Sequence, residues 1–511
     1  MDPVPAPREA GADHRAGPRD RGRAAPVRPP GALVAEAVRP ARRGRLPAGG
    51  GAPAHPCGHV DVPAGAQSVR RDRLRRHRRL PGRVPQGAER ARAGVGDRLP
   101  RPPAAPAARE QRRAAAAAEG HRRRADMSAF ADGRIEAYVG PVELGAADDL
   151  EAVITDFVAG ARSTLAIAVQ ELDSPAIAQA ILDASWRGVR VELFLEQDYL
   201  RSPLVGNPPR PPVPRPGETA AEALHRVQWL EDDTELAENR RILAALLRSD
   251  VQVRGDYNPR IFHQKFVLRD YDGRARPTSA LLSGSANFTL TDTHRNLNHV
   301  FVFRSAFVCR QYLAEVEQLR AGSFGRRMHG DVPKVYDLGG VPVKVLFAPD
   351  HTPELEIVKQ MLKGTEEIVF AIFTFAGSSG IDDAMLALAR GGMKVRGVVD
   401  RTQAAHDWAA PAWLVHDNIE LFVPRRSGVF SGLRKLHHKL MVIDEQVVVA
   451  GSFNYTAPAN EFNDENIFVI GSVHTEVEGI EVAEQPCRVV ARHLKAEVER
   501  IIALSEPWTP G

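Results

Sequence analysis

The chain has 511 residues, 43% of them apolar, and carries 68 Lys and Arg against 64 Asp and Glu for a formal charge of +4. That length holds two or three domains with sizeable cores. No apolar run reaches the ~18–20 residues that cross a bilayer, no charged-then-apolar leader follows Met1 or Met127, and Cys57, Cys309 and Cys487 form neither a disulfide framework nor a CxxC pair, so a cytoplasmic protein is expected.

The net charge hides an asymmetry. Residues 1–126 hold 28 Arg, no Lys and 12 acidic residues, a charge of +16, which leaves 40 basic and 52 acidic residues, or −12, for 127–511. The first stretch is Ala, Arg, Pro and Gly without a sustained hydrophobic period, too poor in apolar side chains to offset chain entropy, and is expected to be disordered. Two readings compete for it: a basic tail for nucleic acid or anionic lipid, or the translation of a GC-rich upstream region with the natural start at Met127.

From Ile135 the pattern becomes regular. IEAYVG reads as a short strand, AADDLEAVITDFVAGA as an amphipathic helix and STLAIAVQEL as a buried strand. SPAIAQAILDASWRGV reads as a helix with Ser174 as its N-cap, and RVELFLEQ as another buried strand. Ser202 to Gly217 is Pro-rich and cannot be helix or inner strand. Together with the helical stretch up to Asp250 it forms an insertion (200–250), read as a wall or lid of the substrate cleft. Domain 1 is placed at 127–325 and a linker at 326–340. After Val341 the order returns: VPVKVLFAPD, PELEIVKQMLKG, EEIVFAIFTFA, GIDDAMLALARGG and KVRGVVD match the first half element for element, giving domain 2 over 341–508. Such β–α alternation argues for an α/β protein of two duplicated domains, each a mixed sheet flanked by helices. The segment Arg401 to Lys435, with Trp408 and Trp413, is expected at the entrance of the cleft.

One motif occurs twice. His263-Gln264-Lys265 is followed by Asp270 and then by Gly284-Ser285-Ala286-Asn287. His437-His438-Lys439 is followed by Asp444 and then by Gly451-Ser452-Phe453-Asn454. In a strand, alternate side chains share a face, so each His and Lys point together while His438 points away. A nucleophile or acid, a point charge and a neutral donor facing one cleft suit a phosphate centre. Asp270 and Asp444 sit at strand ends and are expected to brace loops. Gly284 and Gly451 serve backbone shape, and Phe288 and Tyr455 packing. Cys309 and Cys487 are expected in the core. No HExxH accompanies the seventeen His, so no metal site is expected.

The HxKxxxxD…GSxN signature, present twice, resembles the phospholipase D superfamily over roughly Ile135 to Ser505. The resemblance implies two tandem domains packed pseudo-twofold around one active site. It also implies a covalent phosphohistidine without cofactor, one His attacking and the other protonating the leaving oxygen. Lys265, Lys439, Asn287 and Asn454 would hold the phosphate oxygens, with Ser285 and Ser452 as helpers. The family places an acidic residue eleven positions after the GSxN Asn, often against the His of the opposite motif. Glu465 stands there in the second copy and Asn298 in the first. Glu465 would therefore orient His263 as nucleophile, and His437, with only neutral Asn298, would be the general acid and base. The substrate does not follow from the motifs. Phospholipid ranks first, with peripheral membrane contact. A metal-independent endonuclease acting on DNA or RNA is the alternative, disfavoured by the −12 body, and a non-catalytic scaffold is the third reading. A duplicated chain carries both halves of the site and needs no obligatory oligomer.

Overall fold

A computed structural model describes residues 128–197, 219, 235–474 and 477–509. The Arg-rich stretch expected to be disordered and the Pro-rich part of the insertion lie outside the described residues.

The first half runs β1 (Ala129–Phe130), β2 (Ile135–Gly140), α1 (Leu150–Ala159), β3 (Thr164–Val169), α2 (Pro175–Trp186) and β4 (Arg190–Leu195). It continues with α3 (Glu235–Leu247), β5 (Gln252–Gly255), β6 (Lys265–Arg269), β7 (Ala280–Gly284), α4 (Leu290–His294), β8 (Asn296–Phe303) and α5 (Ala306–Arg320). The second half follows with β9 (Val335–Asp337), β10 (Pro342–Ala348), α6 (Pro353–Met361), β11 (Glu367–Ile372), α7 (Ile381–Arg390), β12 (Lys394–Val399), α8 (Arg401–Ala404) and β13 (Ile419–Pro424). It ends with β14 (Lys435–Leu436), β15 (Lys439–Ile443), β16 (Val447–Gly451), α9 (Ala457–Glu461), β17 (Glu465–Ile470), α10 (Pro486–Ala503) and β18 (Ser505–Pro507).

The halves repeat one topology. β3, β4 and β5 run parallel, as do β11, β12 and β13, each set joined through a helix. The motif strands close each sheet as antiparallel meanders, β6–β7–β8 and β15–β16–β17, to which β2 and β10 add antiparallel. The result is two mixed sheets flanked by helices. Helix starts follow local chemistry: Asp149 and Ser174 accept from the backbone N–H three residues on, capping α1 and α2. The linker expected at 326–340 is itself structured, because Val335–Asp337 pairs with β10 as an edge strand.

The central strands, β3, β4, β6, β7, β8, β11, β15, β16 and β17, are buried on both faces, which is why they read as near-continuous apolar runs. Between the sheets, α5 (Val308, Tyr312, Val316) and α10 (Val490, Leu494, Val498) share one apolar cluster with Phe301, Phe303, Phe347 and Phe468. α1 and α2 cover the outer face of the first sheet, and α6 and α7 that of the second. Cys309 and Cys487 are free and buried. No helix among the described residues is long and apolar enough to cross a membrane.

Candidate active site

Each HxK segment leaves its own half just before its motif strand. β14 pairs in parallel with the start of β8, so the His437 N–H donates to the Leu297 carbonyl at 2.9 Å. The mirror contact is a bridge between Phe262 and Asp464, where the His263 N–H donates to the Asp464 carbonyl at 3.0 Å. These crossed pairings interrupt the expected strand: His437 and His438 lie between β14 and β15 rather than within one run. They also carry each imidazole onto the opposite half.

His263 Nδ1 lies 2.6 Å from Glu465 Oε2, and His437 Nδ1 lies 3.0 Å from Asn298 Oδ1. Both rings are nearly buried. Lys265 Nζ donates to the His263 carbonyl at 3.0 Å and to Gln170 Oε1 at 3.3 Å, and Lys439 Nζ donates to the His437 carbonyl at 2.9 Å. The ring of Phe373 stands edge-on to His437 with centroids 5.0 Å apart, and Lys439 Nζ lies 5.4 Å from its centroid. Burial pushes both imidazoles well below their ordinary value, and Lys265 and Lys439 each add to the effect on both. The lysines are lowered too: burial takes Lys265 to about 8, with Glu465 and Asp292 opposing, and holds Lys439 well below its usual range. Burial raises Glu465 to about 8 against the pull of Lys265.

The motif asparagines and aspartates divide the remaining work. Asn454 Oδ1 accepts from the Thr374 N–H at 3.3 Å, while the Oδ1 of Asn287 is buried without a protein partner. Asp270 accepts the N–H groups of Arg162, Ser163 and Thr164, and Asp444 those of Thr365, Glu366 and Glu367. Both aspartates have φ above +50°, a left-handed conformation that Asp tolerates better than most residues. A Cβ on Gly284 would stand 2.2 Å from the His299 carbonyl oxygen, and one on Gly451 2.3 Å from that of Asn466, so only glycine fits.

Two expectations need correction. Ser285 and Ser452, expected as helpers, turn into the protein: both are fully buried, donating to Asn298 Oδ1 at 2.7 Å and Glu465 Oε2 at 2.6 Å, and accepting from the N–H of His299 and Asn466. Asn298 touches His437 directly, as the eleven-residue offset implied. And His437 does not have Asn298 alone, because Asp292 Oδ2 lies 3.5 Å from its Nδ1. Asp292 was not read from the sequence. Its signal was an exchange visible when the copies are aligned on their GSxN asparagines: Asp292 stands where the second copy has Ala459, and Asn298 where it has Glu465. Gln170 and Phe373, each just past a buried strand, carried no such signal.

His438 points the other way from His437. It stacks on His299 with centroids 5.4 Å apart, Nδ1 to Nδ1 at 3.1 Å, and its Nε2 lies 3.8 Å from Glu497. Among the described residues no group of three or more His, Cys, Asp or Glu could hold a metal ion.

Two duplicated mixed sheets, cross-paired so that each motif His meets a residue of the other half, define a tandem PLD-like α/β protein. The family model described as cardiolipin synthase, PLD-like domain, matches residues 154–320 and 357–484. The chain belongs to this family, within the phospholipase D superfamily, whose members related to it are phosphodiesterases. A phospholipase D from Rickettsia conorii is 27% identical over 141 residues, covering 27% of this chain and 64% of that one. A mitochondrial cardiolipin hydrolase from Xenopus laevis is 32% identical over 131 residues, covering 25% and 59%. The matches thus span less than two thirds of either relative. The crystal structure of a phosphatidylserine synthase from Haemophilus influenzae is similar with a TM-score of 0.49 and 11% identity, over 73% of this chain and 87% of that one.

Proposed function

We propose that the protein is a phosphodiesterase of the phospholipase D type, hydrolysing or transferring phosphodiesters through a covalent phosphohistidine, with phospholipids as its substrate class. The observation that carries this reading is the crossed placement of two His–Lys pairs, each His held through Nδ1 by a residue of the opposite half. Nε2 of each ring is then the nitrogen left for chemistry.

In the proposed cycle, His263 Nε2 attacks phosphorus and the bond to the leaving alkoxide breaks as His437 Nε2–H supplies its proton. His437 then takes a proton from water, or from an alcohol in transfer. The resulting oxygen nucleophile displaces His263, releasing the phosphate product. The close contact to Glu465 favours His263 as nucleophile, since a carboxylate beside Nδ1 raises the basicity of Nε2. Lys265, Lys439, Asn287 and Asn454 hold the non-bridging oxygens. A phosphodiester anion among these groups would raise the depressed lysines and imidazoles back toward their ordinary values. The lipid assignment is supported by relatives named phospholipase D and cardiolipin hydrolase, and by the −12 charge of residues 127–511, which opposes a polyanion.

The test is direct. Full-length protein with EDTA is offered phosphatidylcholine vesicles, cardiolipin vesicles, single- and double-stranded DNA, RNA and an aryl phosphodiester. Release of lipid headgroup is the expected result. Cleavage of nucleic acid but not lipid would replace the substrate class with that of an endonuclease. Inertness toward every substrate would leave a scaffold.

A further inference from the structure

We propose that Asp292 is the positioning carboxylate of His437, the part that Glu465 plays toward His263, moved from the strand to the short helix α4. The inference rests on the reading that His437 is the acid and base of a phosphodiesterase.

Counted from each GSxN asparagine, the eleventh residue is Asn298 in one half and Glu465 in the other, and the fifth is Asp292 and Ala459. The half that lacks the strand carboxylate has gained one six residues earlier. Asp292 is held rigidly. Its Oδ2 accepts the Asn287 N–H at 2.6 Å, its Oδ1 accepts from Asn296 Nδ2, and its own N–H donates to Thr289 Oγ1 at 3.0 Å. Its backbone carbonyl accepts from Asn298 Nδ2 at 2.9 Å, while Ser285 donates to Asn298 Oδ1. These contacts fix the Asn298 amide with its oxygen toward the ring. His437 Nδ1 therefore donates to Asn298 Oδ1 at 3.0 Å, and Asp292 Oδ2 lies 3.5 Å from the same nitrogen as an ion-pair contact. The charged groups that most depress His437 are Lys439 and Lys435 from its own half and Lys265 and His263 from the other, and Asp292 acts on His263 as well. Against four such groups Asp292 is the carboxylate within 4 Å of the ring, among the described residues. Asn298 orients the imidazole, and the longer Asp292 contact supports its protonated form yet grips the proton less than the 2.6 Å contact at His263. A general acid that must surrender its proton each cycle requires that balance.

The experiment uses full-length Asp292→Asn, Asp292→Ala and the double variant Asp292→Ala/Asn298→Glu, the last rebuilding the arrangement of the second half. With an alkyl-leaving phosphodiester, Asp292→Asn is expected to lower kcat about 10- to 100-fold with KM nearly unchanged. The basic limb of its pH profile moves to lower pH, because the imidazolium has lost its carboxylate. The double variant recovers most of the kcat that Asp292→Ala loses. In parallel, nitrogen NMR of 15N-histidine-labelled protein follows the His437 titration, expected at lower pH in Asp292→Asn. Wild-type kcat, pH profile and His437 titration in Asp292→Asn would overturn the inference. So would a folded double variant no better than Asp292→Ala. If wild type cleaves nothing, the enzymatic reading has failed instead, and the NMR titration still decides whether Asp292 acts on His437.

Discussion

The two halves share a backbone and differ in where they keep their charge. In one, His263 meets a strand carboxylate, Glu465, at 2.6 Å; in the other, His437 meets the amide of Asn298 with Asp292 behind it. Behind the pocket the same positions carry a Gln264–Asn466–Glu315 hydrogen-bonded set and a His438–His299–Glu497 set. Lys265 meets Gln170, Lys439 the ring of Phe373. Duplication set the geometry twice, and divergence then gave two equivalent imidazoles unequal surroundings. In the proposed two-step phosphoryl transfer one imidazole attacks and the other is the acid, and the unequal surroundings would assign those roles.

The strongest way to break the comparison is to remove each imidazole in turn. His263→Asn and His437→Asn should each cost at least roughly 10³-fold in kcat on an alkyl-leaving diester. They should part company on an aryl ester whose leaving group needs no proton: His437→Asn should accumulate phosphoenzyme on His263, and His263→Asn should form none. Phosphate mapped by mass spectrometry to His437 in the wild type would invert the assignment. Next in size, Glu465→Gln should lower kcat about 100-fold and Asn298→Ala only about 10-fold, since Asp292 remains beside His437 in the second case. Equal losses would mean the halves are not functionally distinct.

Two further variants probe what the halves share. Gly284→Ala and Gly451→Ala should each lower stability in urea by roughly 2–4 kcal/mol, because the added Cβ would collide with a backbone carbonyl. Gly451, at φ +148°, adds backbone strain and should be the worse of the two. The smallest effect is a gain. Lys265 has a folded-state value of about 8, below its ordinary 10.5, so the unfolded chain binds more protons between those pH values and stability rises with pH there. Below pH 8 the full cost stands, and Lys265→Met should be more stable than wild type at pH 7 by roughly 1–3 kcal/mol. That advantage should fade between pH 8 and 10.5 in a pH series of unfolding curves. A variant less stable at pH 7 would show that the contacts of Lys265 outweigh its desolvation.

Much of the fold was legible because periodicity is local. The β2, β3, β10, β11 and β12 segments and helices α1, α2, α6 and α7 all lie within the stretches their apolar patterns indicated, and Ser174 caps α2 through chemistry visible in three residues. Val335–Asp337 was not legible, since an edge strand of three residues carries no period and exists only by pairing with β10. At the site, the motif residues announced themselves by repetition, yet the inward turn of Ser285 and Ser452 did not. A serine in a turn reads the same whether its hydroxyl meets substrate or the chain's own Asn298 and Glu465.

From the chain of letters alone came the duplication, the α/β class, the residues of both motifs and the eleven-residue offset that singled out Glu465 and Asn298, because each is a matter of spacing along one segment. Only the tertiary structure seated each imidazole against the partner that the resemblance implied, and showed that Asp292 stands beside His437. Those contacts join residues 139 to 202 positions apart through the short parallel pairings that cross between the halves, and hydrogen-bond distance across such a gap is set by packing, on which local sequence has no purchase.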